Sequence, residues 1–138
     1  MSHYYSSAEI EEIISFNKAL VTKRNEIFGV KRDVLYGIFS RVNSYLNTTE
    51  DKRTTIIIKT SIVIGGITWS QPFSEGNKET AVAVGILFLK RNGYNLPFEN
   101  NKDSLYDLLQ KTMWKFEDDK SIYMEIEEYL NTRIIVAK

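Results

Sequence analysis

Between residues 71 and 81 the chain reads Gln-Pro-Phe-Ser-Glu-Gly-Asn-Lys-Glu-Thr-Ala, and these residue types at this spacing suit the binding of an anion beside a metal. Gly76 permits backbone angles closed to other residues, and Gly76, Asn77 and Lys78 in succession would turn N–H groups toward a phosphate. Asn77 would add a side-chain donor and Lys78 a point charge. Spacing alone equally describes a helix N-cap by Asn77, with Gly76 as turn punctuation. Glu75 is the candidate magnesium ligand, because magnesium takes one or two protein carboxylates together with phosphate oxygens. The same carboxylate would also sit well against the positive end of a helix dipole, worth about 0.3–1 kcal/mol. Gln71 can accept a hydrogen bond but cannot titrate near neutral pH. Glu79 sets a negative charge where a phosphate would approach, a repulsion on the order of 4 kcal/mol at close range before solvation discounts it. It reads also as a surface acid pairing with a neighbour, or as an internal occupant of the anion site. Phe73 is expected to pin the stretch to the core.

The elements that must position these residues read as helices. Ser6 and Glu9 have capping-box spacing, and Ile10, Ile13, Ile14, Ala19 and Leu20 recur at roughly helical intervals, which predicts a helix from Ser7 to Lys23, with Gly29 ending the region. Asp33 is placed to cap a second helix with Val34, Leu35, Ile38, Phe39 and Val42 on one face, and Asn47-Thr48-Thr49 reads as a turn. Thr54 to Trp69 is ambiguous: its Ile, Val and Thr content favours a strand, while its length without a turn signal favours a buried helix. As a helix, it would use Gly65 and Gly66 for close approach of a neighbour. Thr80 to Arg91 is apolar on nearly all sides, as a central helix is, and Asn92-Gly93 stops it. Leu96-Pro97-Phe98 is an extended crossing. Further helices are expected from Asp103 or Ser104 to about Phe116 and from Asp118 or Asp119 to about Arg133, and Ile134-Ile135-Val136 packs or forms a short edge element. The expected fold is all-α, a single helical domain of about six helices.

Composition narrows the function classes. The 138 residues suit one core, and 43% hydrophobic with 26% charged residues is ordinary for a globular protein. Lysine plus arginine (18) balances aspartate plus glutamate (18), so no global field draws in nucleic acid or an acidic membrane. With no cysteine, disulfides, thiolate catalysis and cysteine metal sites are excluded. The apolar stretch Ile56 to Ile67 is too short to span a bilayer and carries Lys59. The Met-Ser-His start lacks the regions of a signal peptide, so a cytoplasmic protein is expected. Glu125, Glu127 and Glu128 read as a solvated face, Trp114 and Phe116 as core or groove residues, and Arg24, Lys31 and Arg32 as a basic knot able to meet phosphate.

The stretch resembles the signature loop of the Fic/Doc family, whose core is His-x-Phe-x-(Asp/Glu)-(Gly/Ala)-Asn-x-Arg, here Gln71-Pro72-Phe73-Ser74-Glu75-Gly76-Asn77-Lys78-Glu79. Phe88-Leu89-Lys90-Arg91-Asn92-Gly93-Tyr94 is similar to the end of the helix that follows the motif in Doc-type (death-on-curing) members. The resemblance spans about residues 54 to 98, and beyond that only helix length and order. It breaks the tie at Thr54 to Trp69 toward helix, because in that fold the loop joins two central buried helices. Lys78 in place of glycine, and Val82 in place of a second arginine, lean toward the short Doc-type branch, which resembles kinases that transfer phosphate to a hydroxyl on a translation factor. Larger members transfer AMP.

The resemblance implies magnesium and ATP as cofactors, with Glu75 on the metal and Gly76, Asn77 and Lys78 on phosphate. It also implies a partner, either a small antitoxin helix over the cleft or a translation-factor target, with no nucleic acid and no membrane. Gln71 stands at the position of the family's general-base histidine, and Glu79 at that of its phosphate-binding arginine. His3, the chain's sole histidine, is a poor substitute near the terminus. The expectation is a toxin-like protein with a degenerate motif, catalytically impaired and acting by binding. The alternative is an active magnesium-dependent phosphotransferase or AMP-transferase, the toxin of a toxin–antitoxin pair.

Overall fold

Ser6 and Glu9 close the capping box that their spacing predicts. The Ser6 hydroxyl accepts from the Glu9 N–H at 3.2 Å, and the Glu9 carboxylate accepts from the Ser6 N–H at 2.9 Å. Helix α1 follows over Ser7–Lys23 and buries Ile10, Ile13, Ile14, Asn17 and Val21 on one face. The computed structural model describes residues 4–46, 50–97, 104–111 and 119–137. The expected turn at Asn47-Thr48-Thr49, together with His3, Phe98, Trp114 and Phe116, lies outside them.

Helix α2 runs over Arg32–Ser44. Asp33 does not cap it: the N-cap residue is Lys31, and Asp33 falls in the first turn, where its charge still faces the positive end of the helix dipole. The cause is an isolated antiparallel bridge between Val30 and Phe73. The Lys31 N–H donates to the Pro72 carbonyl at 2.7 Å, and the chain turns helical immediately afterwards.

Thr54 to Trp69 is helical, within α3 over Lys52–Ser70. Asp51 caps it, accepting from the Thr54 N–H at 2.7 Å. Burial overrides the strand propensity of its β-branched residues: Ile56, Val63, Ile64 and Ile67 are all at most 1% exposed. Helix α3 packs against α2, against α4 (Asn77–Arg91) and against α6 (Asp119–Asn131), so it is the central element. The paired glycines act as expected. A Cβ on Gly65 would stand 2.5 Å from the Tyr123 ring on α6, and one on Gly66 would stand 2.8 Å from Ile38 on α2. Lys59 is also buried within α3, its ammonium 4.6 Å from the Tyr4 ring centroid, and burial pushes its pKa down.

Helix α4 begins at Asn77, three residues before the expected start at Thr80, so Asn77, Lys78 and Glu79 form its first turn. Gly93, at φ +91°, ends the region beyond it. Strand β1 (Tyr94–Asn95) then pairs antiparallel with β2 (Ile135–Val136), which makes the tail a short ladder. Helix α5 occupies 104–111 and α6 stops at Asn131, two residues short of the expected Arg133. The architecture is all-α, with six helices among the described residues around one core that reaches from Tyr5 to Ile134. Among those residues no helix is long and apolar enough to cross a membrane.

Candidate functional site

The stretch from Gln71 to Gly76 is the connection between α3 and α4, the two central helices. Gln71 ends α3 in the left-handed region (φ 48°, ψ 61°), its N–H donating to the Ile67 carbonyl at 3.0 Å, and its side chain is exposed. Phe73 is 2% exposed and pins the loop. The Val30–Phe73 bridge is continued by the Ser74 N–H, which donates to Gly29 O at 3.0 Å, so the loop is stitched to the segment between α1 and α2.

Asn77 makes the other stitch. Its Oδ1 accepts from the Phe73 N–H at 3.0 Å and its Nδ2 donates to the Phe73 carbonyl at 2.8 Å. The side chain therefore holds the loop's shape. It does not cap α4, whose N-cap is Gly76 at φ +74°. A Cβ on Gly76 would meet Asn17, Leu20 and Val21 at 3.1–3.2 Å, so α1 itself walls the turn. From α1, Asn17 donates to the Glu75 carbonyl at 2.9 Å and to the Thr80 hydroxyl at 3.1 Å.

No side chain caps α4, and among the described residues the N–H groups of Asn77 and Lys78 have no partner. They are two of the orphan donors that every helix start leaves. A cleft of about 290 Å³ opens there, bordered by Gln71, Glu75, the first turn of α4, Thr68 and Arg24. Arg24 Nη1 meets the Glu79 carboxylate at 2.8 Å, and its Nη2 meets Glu26 at 2.7 Å. Burial pushes the Glu79 carboxyl up, but the hydrogen bonds from Arg24 and from its own backbone N–H outweigh it, with help from the Arg24 and Lys78 charges, and the pKa is lowered. Glu79 is thus a carboxylate at the positive end of α4, facing a guanidinium. Lys78 reaches sideways to donate to Gln110 on α5. Thr68 is wholly buried, lines the cleft, and its Oγ1 has no hydrogen-bond partner among the described residues.

Glu75 is exposed beside the cleft, its backbone held by Asn17. Among the described residues no three histidine, aspartate or glutamate side chains gather as a metal cage. The donor set thus fits magnesium only where phosphate oxygens complete the coordination. Gln71 borders both this cleft and a wider polar groove of about 770 Å³ between 29–31 and 69–74.

The structure divides the basic knot. Arg24 joins the cleft, whereas Arg32 turns to Glu11 at 3.1 Å. Sequence reasoning missed Asn17 and Thr68. Asn17 was detectable as a polar residue on the apolar face of α1, but Thr68 gives no such sign within a helix rich in threonine. No family model matches the chain, and no curated protein or solved structure matches it.

Proposed function

We propose that this chain is a Doc-type-like helical protein whose signature loop has lost efficient group transfer and which acts by binding a phosphate-bearing ligand. One observation carries the reading. Gln71 lines both the cleft at the α4 N-terminus and the wider groove, and in this reading the first would seat a phosphate donor and the second an acceptor hydroxyl. A general base belongs at that junction, and an amide cannot take the proton. The expected loss is about 10²–10⁴-fold in rate. Magnesium, when bound with the ligand's phosphates, would neutralise charge on the transferred group. Glu75 would hold it, while the N–H groups of Asn77 and Lys78 orient the phosphate. A partner's amphipathic helix would find an apolar seat in the neighbouring groove between α1 and α4, where Phe16 and Leu87 are exposed.

The test is transfer of label from γ- and α-labelled ATP to protein hydroxyls in a lysate. The native chain is expected to be silent and the double variant Gln71→His/Glu79→Arg weakly active, with little from either substitution alone, because base and phosphate clamp act as a unit. Strong labelling by the native chain, abolished by Glu75→Ala, would overturn the proposal in favour of a working transferase.

A further inference from the structure

Tyr5 is 8% exposed, and its ring packs between Phe39, at 4.5 Å, and Phe88, at 5.4 Å, centroid to centroid. Its backbone is fully engaged, the N–H donating to Asn43 Oδ1 and the carbonyl accepting from Asn43 Nδ2, both at 2.8 Å. Its hydroxyl has no hydrogen-bond partner among the described residues. The unpartnered polar side-chain atoms that are sealed from solvent among those residues are Asn17 Oδ1 and Thr68 Oγ1, so the Tyr5 hydroxyl reaches open space. Burial holds it protonated, and the charges that act on it are those of Arg91 and Glu9. Both of these residues line the groove between α1 and α4, where the Arg91 guanidinium stands 4.9 Å from the Tyr5 ring centroid. A second hollow at Tyr5 lies on the side of Asn43, which grips the backbone, and no charged residue lines it among the described residues. The hydroxyl therefore marks the polar end of the α1–α4 groove.

We propose that this groove binds a small uncharged ring compound bearing one hydroxyl, of the phenol class, with its ring on Ile13, Val84 and Phe88 and its hydroxyl on Tyr5. The groove encloses about 280 Å³, near the lower end for small-molecule sites, which suits one ring with a short substituent. Ile13, Val84 and Phe88 are buried and make its floor, while Phe16 and Leu87 are its exposed lips. At the polar end Arg91 pairs with Glu9, and Glu12 adds an exposed carboxylate. A cationic head meets Arg91 there and an anionic head meets Glu9 and Glu12, so a neutral head is favoured. A ligand that covers the Tyr5 hydroxyl must also supply it with a partner, since an unmet polar group is costly once water is excluded. A phenolic hydroxyl accepts from Tyr5 and donates to a carboxylate oxygen at the same end. No residue of 71–79 lines this groove, so the proposal goes beyond the reading above and stands apart from its chemistry. A helix laid in the groove would exclude the ligand.

The test is an amide NMR titration of the native chain, Tyr5→Phe and Ala83→Phe with probes that share a methyl-bearing ring: p-cresol, toluene, p-toluate and p-methylbenzylamine. p-Cresol is expected to shift Ile13, Val84 and Leu87 and to bind about two- to tenfold tighter than toluene, the worth of one neutral hydrogen bond. The carboxylate and ammonium probes are expected to bind more weakly than p-cresol, each against a like charge. Tyr5→Phe is expected to erase the preference for p-cresol over toluene. It should leave the melting temperature unchanged or higher, because the hydroxyl it removes has no partner to strand. Ala83 lines the groove, so Ala83→Phe is expected to fill it and abolish the shifts. Ala83→Leu fills it with less bulk if melting shows that the larger ring disturbs the fold. Equal binding of toluene and p-cresol to the native chain overturns recognition through the hydroxyl, and no shift at the groove with any probe overturns the site. A preference that survives Tyr5→Phe overturns the role of Tyr5, and a charged probe that outbinds p-cresol overturns the neutral head. Shifts that survive both folded Ala83 variants, or groove shifts that depend on protein concentration without a probe, overturn the proposal in favour of a site elsewhere or of a second copy on this face. The transfer assay reads the loop alone, so either proposal fails without the other.

Discussion

Asn77 spends its side chain on the backbone of Phe73, donating and accepting there as a neighbouring strand would. An asparagine in this motif thus shapes the loop before any ligand arrives. Replacing it with alanine strands the Phe73 N–H and carbonyl in a partly buried turn. Asn77→Ala is therefore expected to cost about 1–3 kcal/mol in urea unfolding. It should also speed hydrogen exchange at the Phe73 amide, while amides in the middle of α2, away from the loop, change little. Unchanged stability and exchange would mean that the bonds contribute nothing net. At this scale the sequence marked the loop but not the residues from other helices that meet it. Gln71, Glu75 and Lys78 border one cleft, yet the partner of Glu79 comes from the end of another helix. Such a pairing follows from how α1 packs on α4, and no local pattern encodes it.

Helix α3 shows what was legible one level up. Its nineteen residues carry a β-branched run whose intrinsic preference is for strand, and only length and the resemblance pointed the other way. Its glycines were readable as contact points, though not with which helices. The structure pairs Gly65 with α6 and Gly66 with α2. The start of α2 was misplaced because the Val30–Phe73 bridge, a contact across the chain, sets where the helix can begin. Gly65→Ala separates packing from propensity. Alanine should gain about 1 kcal/mol of helix propensity over glycine. Its Cβ, however, would lie 2.5 Å from the Tyr123 ring, which Arg41 holds by a 2.5 Å hydrogen bond. Net destabilisation of about 1–3 kcal/mol is expected from overpacking, read as a lower urea midpoint at unchanged m-value. Gly37→Ala is the control, since a Cβ there meets nothing within 4 Å. It should be neutral or stabilising.

Across the whole molecule, α1 is tied down by carboxylates at both ends. Glu9 closes the capping box and meets Arg91 of α4, Glu11 meets Arg32 of α2, and Glu79 of α4 meets Arg24 just past the end of α1. All three carboxyls are lowered: Glu9 first by the Ser6 backbone N–H, Glu11 first by the Arg32 hydrogen bond, and Glu79 by Arg24 and its own N–H against the opposing effect of burial. A carboxyl with a folded pKa below its unfolded value stabilises the fold above the unfolded pKa. That contribution disappears as pH falls through the folded value. These groups therefore act in the same direction, and their loss begins in the ordinary carboxylate range, from about pH 4 downward. Glu127 has the opposite sign: burial first, then the Glu50 charge, raises it, so it favours folding when protonated and loses that contribution as pH rises. The acidic run on α6 is thus only partly the solvated face its composition suggested, Glu128 being exposed and Glu127 half-buried. Each exposed pair is individually small, because water screens it. The three share one helix, however, so acid should loosen α1 before it reaches α3. Hydrogen exchange corrected for intrinsic rates, measured between about pH 5 and pH 3, is expected to lose protection in α1 while the α3 amides stay protected. Raising the salt at pH 5 should reproduce part of the effect by screening the same pairs. Uniform loss of protection across α1 and α3 would show that the carboxylates guard the fold as a whole, and the idea of α1 as the acid-labile element would fail.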